Sequence, residues 1–285
     1  MTINGKQLSD SIRASLAAEV AEFPARYGRA PKLAVVLVGD DQASARYVRN
    51  KTVACEQVGI ENLTVTLPGS TSEEELLRQI GLLNADPGVD GILLQLPLPR
   101  HISDDKVISA IAREKDVDGF HPLNVARLWT GRSEDGFCVA CTPSGVMRLL
   151  KAAGVRIEGA HAVVLGRSNI VGLPVAKLLL NANATVTICH SRTADLPSLT
   201  RQADILVAAI GRPKFVTADM VKEGAAVIDV GIDTDPVTGK LCGDVDFASV
   251  EPKASVITPV PGGVGPMTIC MLMQNTVDCF LRGRK

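Results

Sequence analysis

Apolar runs alternate with amphipathic segments along the first half of the chain, and the alternation predicts strands separated by helices. Strands connected through helices pair in parallel with right-handed crossovers. Continuous apolar runs of this kind are typical of strands covered on both faces. The predicted strands are residues 33–39, 62–68 and 89–99, and the predicted helices are residues 5–22, 43–58 and 72–86.

A second alternating set follows, and its five short strands with helices between them are typical of a nucleotide-binding, doubly wound sheet. Its strands are residues 160–166, 185–191, 205–211, 225–232 and 255–260. Residues 173–182 are the first of its predicted helices. The last apolar segment, residues 267–281, is predicted to be a helix that packs back onto the first set.

Between the two sets the period is lost after Gly119 and returns at residues 142–154. We interpret this segment as a connecting helix with Thr142 as its cap and Pro143 in its first turn. The sequence therefore predicts an α/β protein of two domains, which suits a chain of 285 residues. Residues 1–142 with 267–285 form an N-terminal three-layer α/β domain, and residues 143–266 form a Rossmann-like domain.

Composition limits the possible partners. A net charge of −1 lacks the basic excess of proteins that follow a phosphate backbone, and 3% aromatic residues disfavour a base-stacking platform. We therefore expect no nucleic-acid partner. The first residues resemble no secretory signal, and no apolar run approaches the ~18 residues of a membrane span. We expect a cytoplasmic protein without membrane contact.

The seven dispersed cysteines favour reduced thiols over a disulfide framework. Cys138 and Cys141 form a CxxC pair, but a zinc site would need a second ligand pair at suitable spacing. We interpret both as small buried residues and expect no metal.

Gly166 and Gly172 lie in the turn between a predicted strand and a predicted helix. The motif is GxSxxxG, with Ser168 in place of the middle glycine of the common dinucleotide fingerprint. A tight turn and helix N–H groups that face an anion would still be available. A plain strand-to-helix turn is the alternative, since glycine is common there.

The strand after this turn ends in residues that can distinguish the two nicotinamide cofactors. An acidic residue here would bind the ribose 2′-hydroxyl of NAD, whereas basic or hydroxyl groups suit the 2′-phosphate of NADP. The sequence has His190, Ser191 and Arg192, and Arg167 can supply further charge. The pattern favours NADP, with Arg192 as an ordinary solvated charge as the alternative.

Four further features favour a ligand site. The loop at residues 260–268 brings glycine-rich backbone to a helix N-terminus, although it could be a simple connection between domains. Tyr47 and Lys51 share one helix face and offer a stacking ring and a proton carrier, or else an exposed surface pair. Gln95 follows a strand, where open α/β sheets bind ligands. Asp118 precedes Gly119, which by itself is only a turn signal.

Together these segments resemble the bacterial-type bifunctional methylenetetrahydrofolate dehydrogenase/cyclohydrolase. The resemblance extends from about Gly5 to Phe280. It is carried, in order, by YVRNK, DGILLQLPLP, KDVDGFHPLN, CTPSG, GRSNIVGLP, VIDVGI, GDVDF and TPVPGGVGPMT.

The resemblance implies two α/β domains that flank a cleft, and a homodimer joined through the nucleotide domain. It implies that Tyr47 stacks on the aminobenzoyl group of the folate and that Lys51 is the main catalytic residue. Gln95 would hydrogen-bond Lys51, and Asp118 would bind the pterin. The other implied folate contacts are Leu94, Leu96, Pro261, Gly262 and Gly263. The implied NADP contacts are Gly166, Arg167, Ser168, Ser191 and Ile232.

The implied activity is oxidation of 5,10-methylenetetrahydrofolate with NADP, followed by hydrolysis to 10-formyltetrahydrofolate in one-carbon metabolism. The alternative is a single-activity or non-catalytic NAD(P)-binding protein on the same scaffold. A shikimate-type dehydrogenase would share the layout of the second domain but would lack the Tyr–Lys pair, QLPLP and KDVDG. A few relatives of the implied family use NAD instead of NADP.

Overall fold

The computed structural model describes residues 1–131 and 136–284, and only the backbone of residues 42–46. The chain divides into two compact units. The three-stranded unit comprises Ser11–Cys141 and Ile269–Lys285, and the five-stranded unit comprises Met1–Asp10 and Thr142–Thr268. Within the described residues no helix is long and apolar enough to cross a membrane.

The three-stranded unit is built on a parallel sheet with the order β2-β1-β3. Both faces of β1 are buried, since the neighbouring Val35 and Val36 point to opposite faces and are each fully inaccessible. One face packs on α4 and α5 through Leu76, Ile80 and Val107. The strands are β1 (Lys32–Val38), β2 (Glu61–Leu67) and β3 (Gly91–Leu94), and the helices are α1 (Gly5–Ala21), α2 (Phe23–Tyr27), α3 (Gln42–Val58), α4 (Glu73–Ala85), α5 (Asp104–Ala110) and α6 (Pro122–Thr130).

Helix α6 lies in the segment after Gly119, where the sequence shows no clear period and predicts no helix. Pro122 occupies its first turn, and the His121 ring accepts the N–H of Leu123 at 3.1 Å. The inward positions, one turn apart, are Asn124 and Leu128. Because the first of these is polar, the apolar period is not visible in the sequence.

The five-stranded unit contains the five-stranded parallel sheet that the sequence predicts, and the structure gives its strand order as β10-β7-β6-β4-β5. An antiparallel pair, β8 and β9, is attached to it. The strands are β4 (His161–Leu165), β5 (Thr185–Cys189), β6 (Ile205–Ala208), β7 (Ala226–Asp229), β8 (Asp233–Thr234), β9 (Leu241–Cys242) and β10 (Val256–Ile257), and the helices are α7 (Cys141–Ala152), α8 (Gly172–Asn181), α9 (Leu196–Thr200), α10 (Phe247–Val250) and α11 (Val264–Arg282).

Thr142 lies inside α7 instead of capping it, because the helix begins at Cys141. Its hydroxyl lies 2.9 Å from that of Thr268, and the two form a hydrogen bond within the five-stranded unit. The predicted cap is therefore wrong, although the predicted helix is present.

The first residues of the chain join the edge of the five-stranded sheet. Ile3 donates its N–H to the carbonyl of Ile257, and Ile257 donates to the carbonyl of Met1. Residues 1–10 accordingly belong to this unit, whereas the sequence-based boundary places them in the other domain. Helix α11 belongs to the three-stranded unit from Ile269 onward.

Candidate active site

Lys51 and Gln95 meet in the three-stranded unit, where α3 passes the carboxyl end of β3. The ammonium Nζ of Lys51 donates to Oε1 of Gln95 at 2.9 Å. The Gln95 amide group donates in turn to the carbonyl of Leu96 at 2.7 Å. Because one end of the amide gives protons and the other accepts them, this second bond fixes the oxygen toward the lysine.

Asp118 lies in a turn that is held from two sides. The thiol of Cys141 donates to the carbonyl of Val117 at 3.4 Å and approaches the Asp118 carboxylate at 3.8 Å. Asn275 on α11 donates to that same carbonyl at 2.8 Å. Gly119 has a φ of +70°, and a Cβ there would overlap the backbone of residues 138–140. The turn is therefore rigid, and it presents Asp118 at a fixed place.

Burial raises the pKa of Asp118 from its ordinary value of 3.8 to about 6. The positive charge of Lys51 opposes this rise, and the negative charge of Asp116 adds to it. Lys51, Gln95 and Asp118 therefore belong to one electrostatic site, in which the charge of the lysine acts on the carboxyl group.

The raised pKa of Asp118 predicts a pH-dependent cost in stability. Between about pH 4 and pH 6 the folded chain holds a proton that the unfolded chain releases, so stability falls as pH rises through this window. Asp118→Asn, neutral at every pH, should be more stable than the wild type at pH 8 by roughly 1–3 kcal/mol. Urea unfolding at pH 4 and pH 8 measures this. A difference that does not shrink toward pH 4 would contradict the assignment.

Three other predicted folate contacts lie close in sequence to Lys51 or Gln95. Tyr47 is 45% exposed and lies one helical turn before Lys51 on α3. The Leu94 side chain is buried in the core beneath β3, so only its backbone is available to a ligand. Leu96 is partly buried against the same core.

A cavity of 270 Å³ opens at the carboxyl ends of β4, β5 and β6 in the five-stranded unit. Three predicted cofactor residues, Gly166, Arg167 and Ser191, line it. Gly166 has a φ of +115°, and a Cβ there would collide with the carbonyl oxygen of Ala209. A Cβ on Gly172 would likewise collide with the backbone of Gly166. Both glycines are therefore required by the geometry of the turn.

Ser168 explains how the altered fingerprint keeps its shape. Its hydroxyl accepts the N–H groups of Val171 at 3.2 Å and Gly172 at 3.3 Å, at the start of α8. This satisfies helix N–H groups that would otherwise lack a partner. Ser168 and the half-exposed Ile232 are not among the residues that line the 270 Å³ cavity.

The glycines in the loop before α11 allow its backbone to pass close to neighbouring backbone. Gly262 has a φ of +106° and accepts the N–H of Lys6 at 3.0 Å. A Cβ on Gly263 would lie 2.6 Å from the carbonyl oxygen of Pro259. Pro261 is exposed. The helix begins at Val264, three residues before the predicted start at Met267, so residues 264–268 of the predicted loop are helical.

Arg212 is a cavity residue that the sequence prediction omits. It lines the 270 Å³ cavity, and its guanidinium lies 4.3 Å from the ring centre of Phe215. The buried Asp244 carboxylate accepts the N–H groups of Ile210 and Arg212, both at 2.7 Å, and so fixes this loop. The signal was available in the sequence, since Gly211 and Arg212 follow a strand end in the same way as Gly166 and Arg167.

Two known domain models together match nearly the whole chain. Residues 3–118 match the model of the tetrahydrofolate dehydrogenase/cyclohydrolase catalytic domain, and residues 140–284 match that of its NAD(P)-binding domain. The chain belongs to the tetrahydrofolate dehydrogenase/cyclohydrolase family. It is therefore an enzyme, with a catalytic domain for folate chemistry and a domain that binds a nicotinamide dinucleotide.

Relatives of this tetrahydrofolate dehydrogenase/cyclohydrolase match it over nearly its whole length. The bifunctional protein FolD of Listeria innocua is 57% identical over 280 residues, which are 98% of this chain and 97% of the relative. The crystal structure of the bifunctional FolD enzyme from Campylobacter jejuni is 49% identical, with a TM-score of 0.95 and 99% of each chain covered. The Trypanosoma brucei enzyme, solved with NADP and an inhibitor, is 43% identical with a TM-score of 0.95, covering 100% of this chain and 98% of its own.

Proposed function

We propose that this enzyme oxidises 5,10-methylenetetrahydrofolate with NADP and then hydrolyses the methenyl product to 10-formyltetrahydrofolate. The observation that carries the proposal is the 2.9 Å contact between Lys51 and Gln95, in the same electrostatic site as Asp118. A positioned lysine is the proton carrier that the hydrolytic step needs.

The lining of the 270 Å³ cavity suits the phosphate groups of a dinucleotide. Gly166 leaves no room for a side chain, which allows backbone to approach a pyrophosphate at the start of α8. Arg167, Arg212 and Ser191 line the cavity, and its lining residues include no carboxylate. When bound, NADP supplies the nicotinamide ring that accepts the hydride. The role of the protein in this step is to position and orient the folate.

The hydrolytic step uses the chain's own groups. Water attacks the methenyl carbon, the attacking water loses a proton, and one carbon–nitrogen bond breaks as its nitrogen gains a proton. We assign these proton transfers to Nζ of Lys51. Gln95 accepts one hydrogen bond from that ammonium. Because an ammonium has three N–H donors, two remain that can face the substrate. Tyr47, one turn away and half exposed, offers the stacking surface for the aminobenzoyl group.

We assign the pterin contact to Asp118, supported by its rigid turn and raised pKa. The remaining folate contacts that we propose are Leu94, Leu96, Pro261, Gly262 and Gly263. Asp118→Asn should raise the KM for methylenetetrahydrofolate at least about tenfold, since one lost charge-assisted hydrogen bond is worth about 1.5–3 kcal/mol. The KM for NADP, measured in the same assay, should stay within about twofold and serves as the control. An unchanged folate KM would show that Asp118 does not bind the pterin.

The preference for NADP can be tested by adding a negative charge. Ser191→Asp places a carboxylate in the 270 Å³ cavity, where it would repel a 2′-phosphate and bind a ribose 2′-hydroxyl. We expect the ratio of kcat/KM for NADP over NAD to fall by at least about tenfold, or 1.4 kcal/mol. Ala194→Asp adds the same charge on an exposed position outside the cavity lining, and it should leave the ratio unchanged.

The direct test of the proposed function is an absorbance assay with methylenetetrahydrofolate and either NADP or NAD, followed by an assay of methenyl hydrolysis. Reduction of NADP together with hydrolysis is the expected result. No reduction of either cofactor would overturn the dehydrogenase assignment. Reduction without hydrolysis would leave a single-activity enzyme.

We further propose a cytoplasmic homodimer without a nucleic-acid partner, joined through the five-stranded unit. Its edge strand β5 exposes Ile188, and the preceding helix exposes Leu180. An uncovered strand edge and exposed apolar side chains favour association with a second copy. Sedimentation analysis should give twice the chain mass of 30.1 kDa, and a monomer would contradict this assembly.

A further inference from the structure

Two cysteines and an arginine form a cluster in the three-stranded unit, outside the residues assigned to folate or cofactor. The Sγ atoms of Cys138 and Cys279 lie 3.4 Å apart. The guanidinium of Arg282 donates to both sulfurs, at 3.0 Å each. Cys138 lies in the segment before α7, and the other two residues lie near the end of α11, so the cluster joins segments distant in sequence.

The cluster favours a thiolate at Cys138. The hydrogen bond from Cys279 lowers the pKa of Cys138 below its ordinary value, and the charge of Arg282 adds to this effect against the opposing cost of burial. The same hydrogen bond and burial raise the pKa of Cys279, so the ionised pair holds one thiolate and one thiol that share a hydrogen bond. Cys55 provides the contrast, because burial raises the pKa of its thiol to about 12. The thiolate is the reactive form of cysteine, so this pair differs chemically from an isolated buried thiol such as Cys55.

A small oxidant can reach one of the two sulfurs, that of Cys279. Cys279 and Arg282 both line a cavity of 550 Å³ that opens beside α11. In liquid water each molecule takes up about 30 Å³, so the cavity has room for many molecules of that size. Hydrogen peroxide is not much larger than water and can therefore enter it. The positive Arg29 and Arg284 also line the cavity.

We propose that Cys138 and Cys279 form a redox-active dithiol, which hydrogen peroxide converts to a reversible disulfide. In the first step Cys279, which lines the cavity, passes its proton to the Cys138 thiolate 3.4 Å away and attacks one oxygen of the peroxide. The O–O bond breaks, and the departing hydroxide takes up a proton to become water. Cys279 is then a sulfenic acid. Cys138 attacks its sulfur, the S–O bond breaks, and the oxygen leaves as a second water with the proton of Cys138. The dithiol loses two electrons and the peroxide gains them.

The bond can form with a small movement. The two sulfurs must close from 3.4 Å to about 2.05 Å, the length of a disulfide bond. Arg282 stabilises the thiolate before the reaction.

The test is to treat the whole reduced enzyme with hydrogen peroxide, alkylate the remaining thiols and digest it without reductant. A linked peptide pair that contains Cys138 and Cys279, about 2 Da lighter than the two thiol peptides together, is the expected product. Dithiothreitol should release both peptides. Cys55 serves as the internal control and should be recovered as an alkylated thiol. Linkage to a different cysteine, or irreversible oxidation of Cys279 without linkage, would overturn the proposal.

The role of Arg282 is tested by the rate of linkage. Arg282→Met removes the charge and should slow disulfide formation at least tenfold at neutral pH, whereas Arg282→Lys should retain most of the rate. In the wild type the rate of disulfide formation should rise with pH around a midpoint below the pKa of an ordinary cysteine thiol. Equal rates in all three proteins would refute the thiolate mechanism. Because the wild-type digest alone can disprove the disulfide, the proposal does not depend on the folding of a variant.

Discussion

Lys51→Met should abolish the hydrolysis of methenyltetrahydrofolate while much of the dehydrogenase activity remains. Methionine keeps the length and apolar stem of the side chain but removes the ammonium that contacts Gln95. General acid–base catalysis by a positioned group is worth roughly 10²–10⁴-fold, and the hydrolytic step should lose a factor of this size. Hydride transfer depends on positioning and should fall by less than about tenfold. Separate assays of the two steps measure the difference.

Two further variants separate charge from proton transfer. Lys51→Arg keeps a positive charge, but a guanidinium does not release its proton, so hydrolysis should remain abolished. Arg49→Met removes an exposed charge from the same helix and should leave both activities near wild type. Equal, modest losses of both activities in Lys51→Met would show that the lysine has no special part in hydrolysis.

Gly166→Ala should have the opposite effect, because it should impair the NADP-dependent dehydrogenase and spare the hydrolysis. The new Cβ would collide with the carbonyl oxygen of Ala209, and the residue would be held at a φ of +115°, which costs an L-residue about 1–3 kcal/mol. The turn can accept the side chain only by moving backbone at the edge of the cofactor cavity. The KM for NADP should rise at least about tenfold, or 1.4 kcal/mol. Hydrolysis of added methenyltetrahydrofolate needs no cofactor and should remain.

Gly224→Ala is the matched control for this variant. Gly224 lies in the same unit at a φ of +78°, but among the described residues beyond its two chain neighbours no heavy atom lies within 4 Å of the position of its Cβ. It therefore adds backbone strain without the collision, and its KM for NADP should match the wild type. If both alanine variants weaken NADP binding equally, general destabilisation and not the shape of the turn is the cause. Melting temperatures of the two proteins provide the independent measure of stability.

The hydrophobic pattern was sufficient to predict both parallel sheets, because strands buried on both faces leave long apolar runs in the sequence. It failed at α6, where the polar Asn124 fills an inward position and donates to the Asp116 carboxylate at 2.8 Å. It also misplaced Thr142 as a cap, since a threonine beside a proline in the first turn has the same sequence signature. Buried polar contacts of this kind leave no periodic signal.

At the candidate site, helical spacing placed Tyr47 and Lys51 on one face, but only the fold shows that Gln95 reaches the lysine. These two partners are 44 positions apart in the sequence, so no local pattern can reveal their pairing. The contact of Asn275 with the turn that holds Asp118 spans 158 residues and is equally hidden. The resemblance to known enzymes supplied these roles, and their assignment to individual residues stays a proposal.

The pairing of Ile3 with Ile257 has a consequence for how the protein is made. On the ribosome the first residues emerge long before the strand β10 that they join, so they must wait without their partner for most of synthesis. The three-stranded unit waits as well, because Phe23 stacks on Phe280 near the end of α11, with ring centres 5.1 Å apart. Neither unit can complete its packing before the residues from β10 into α11 have been translated. The newborn chain therefore exposes unfinished apolar surface until these residues emerge.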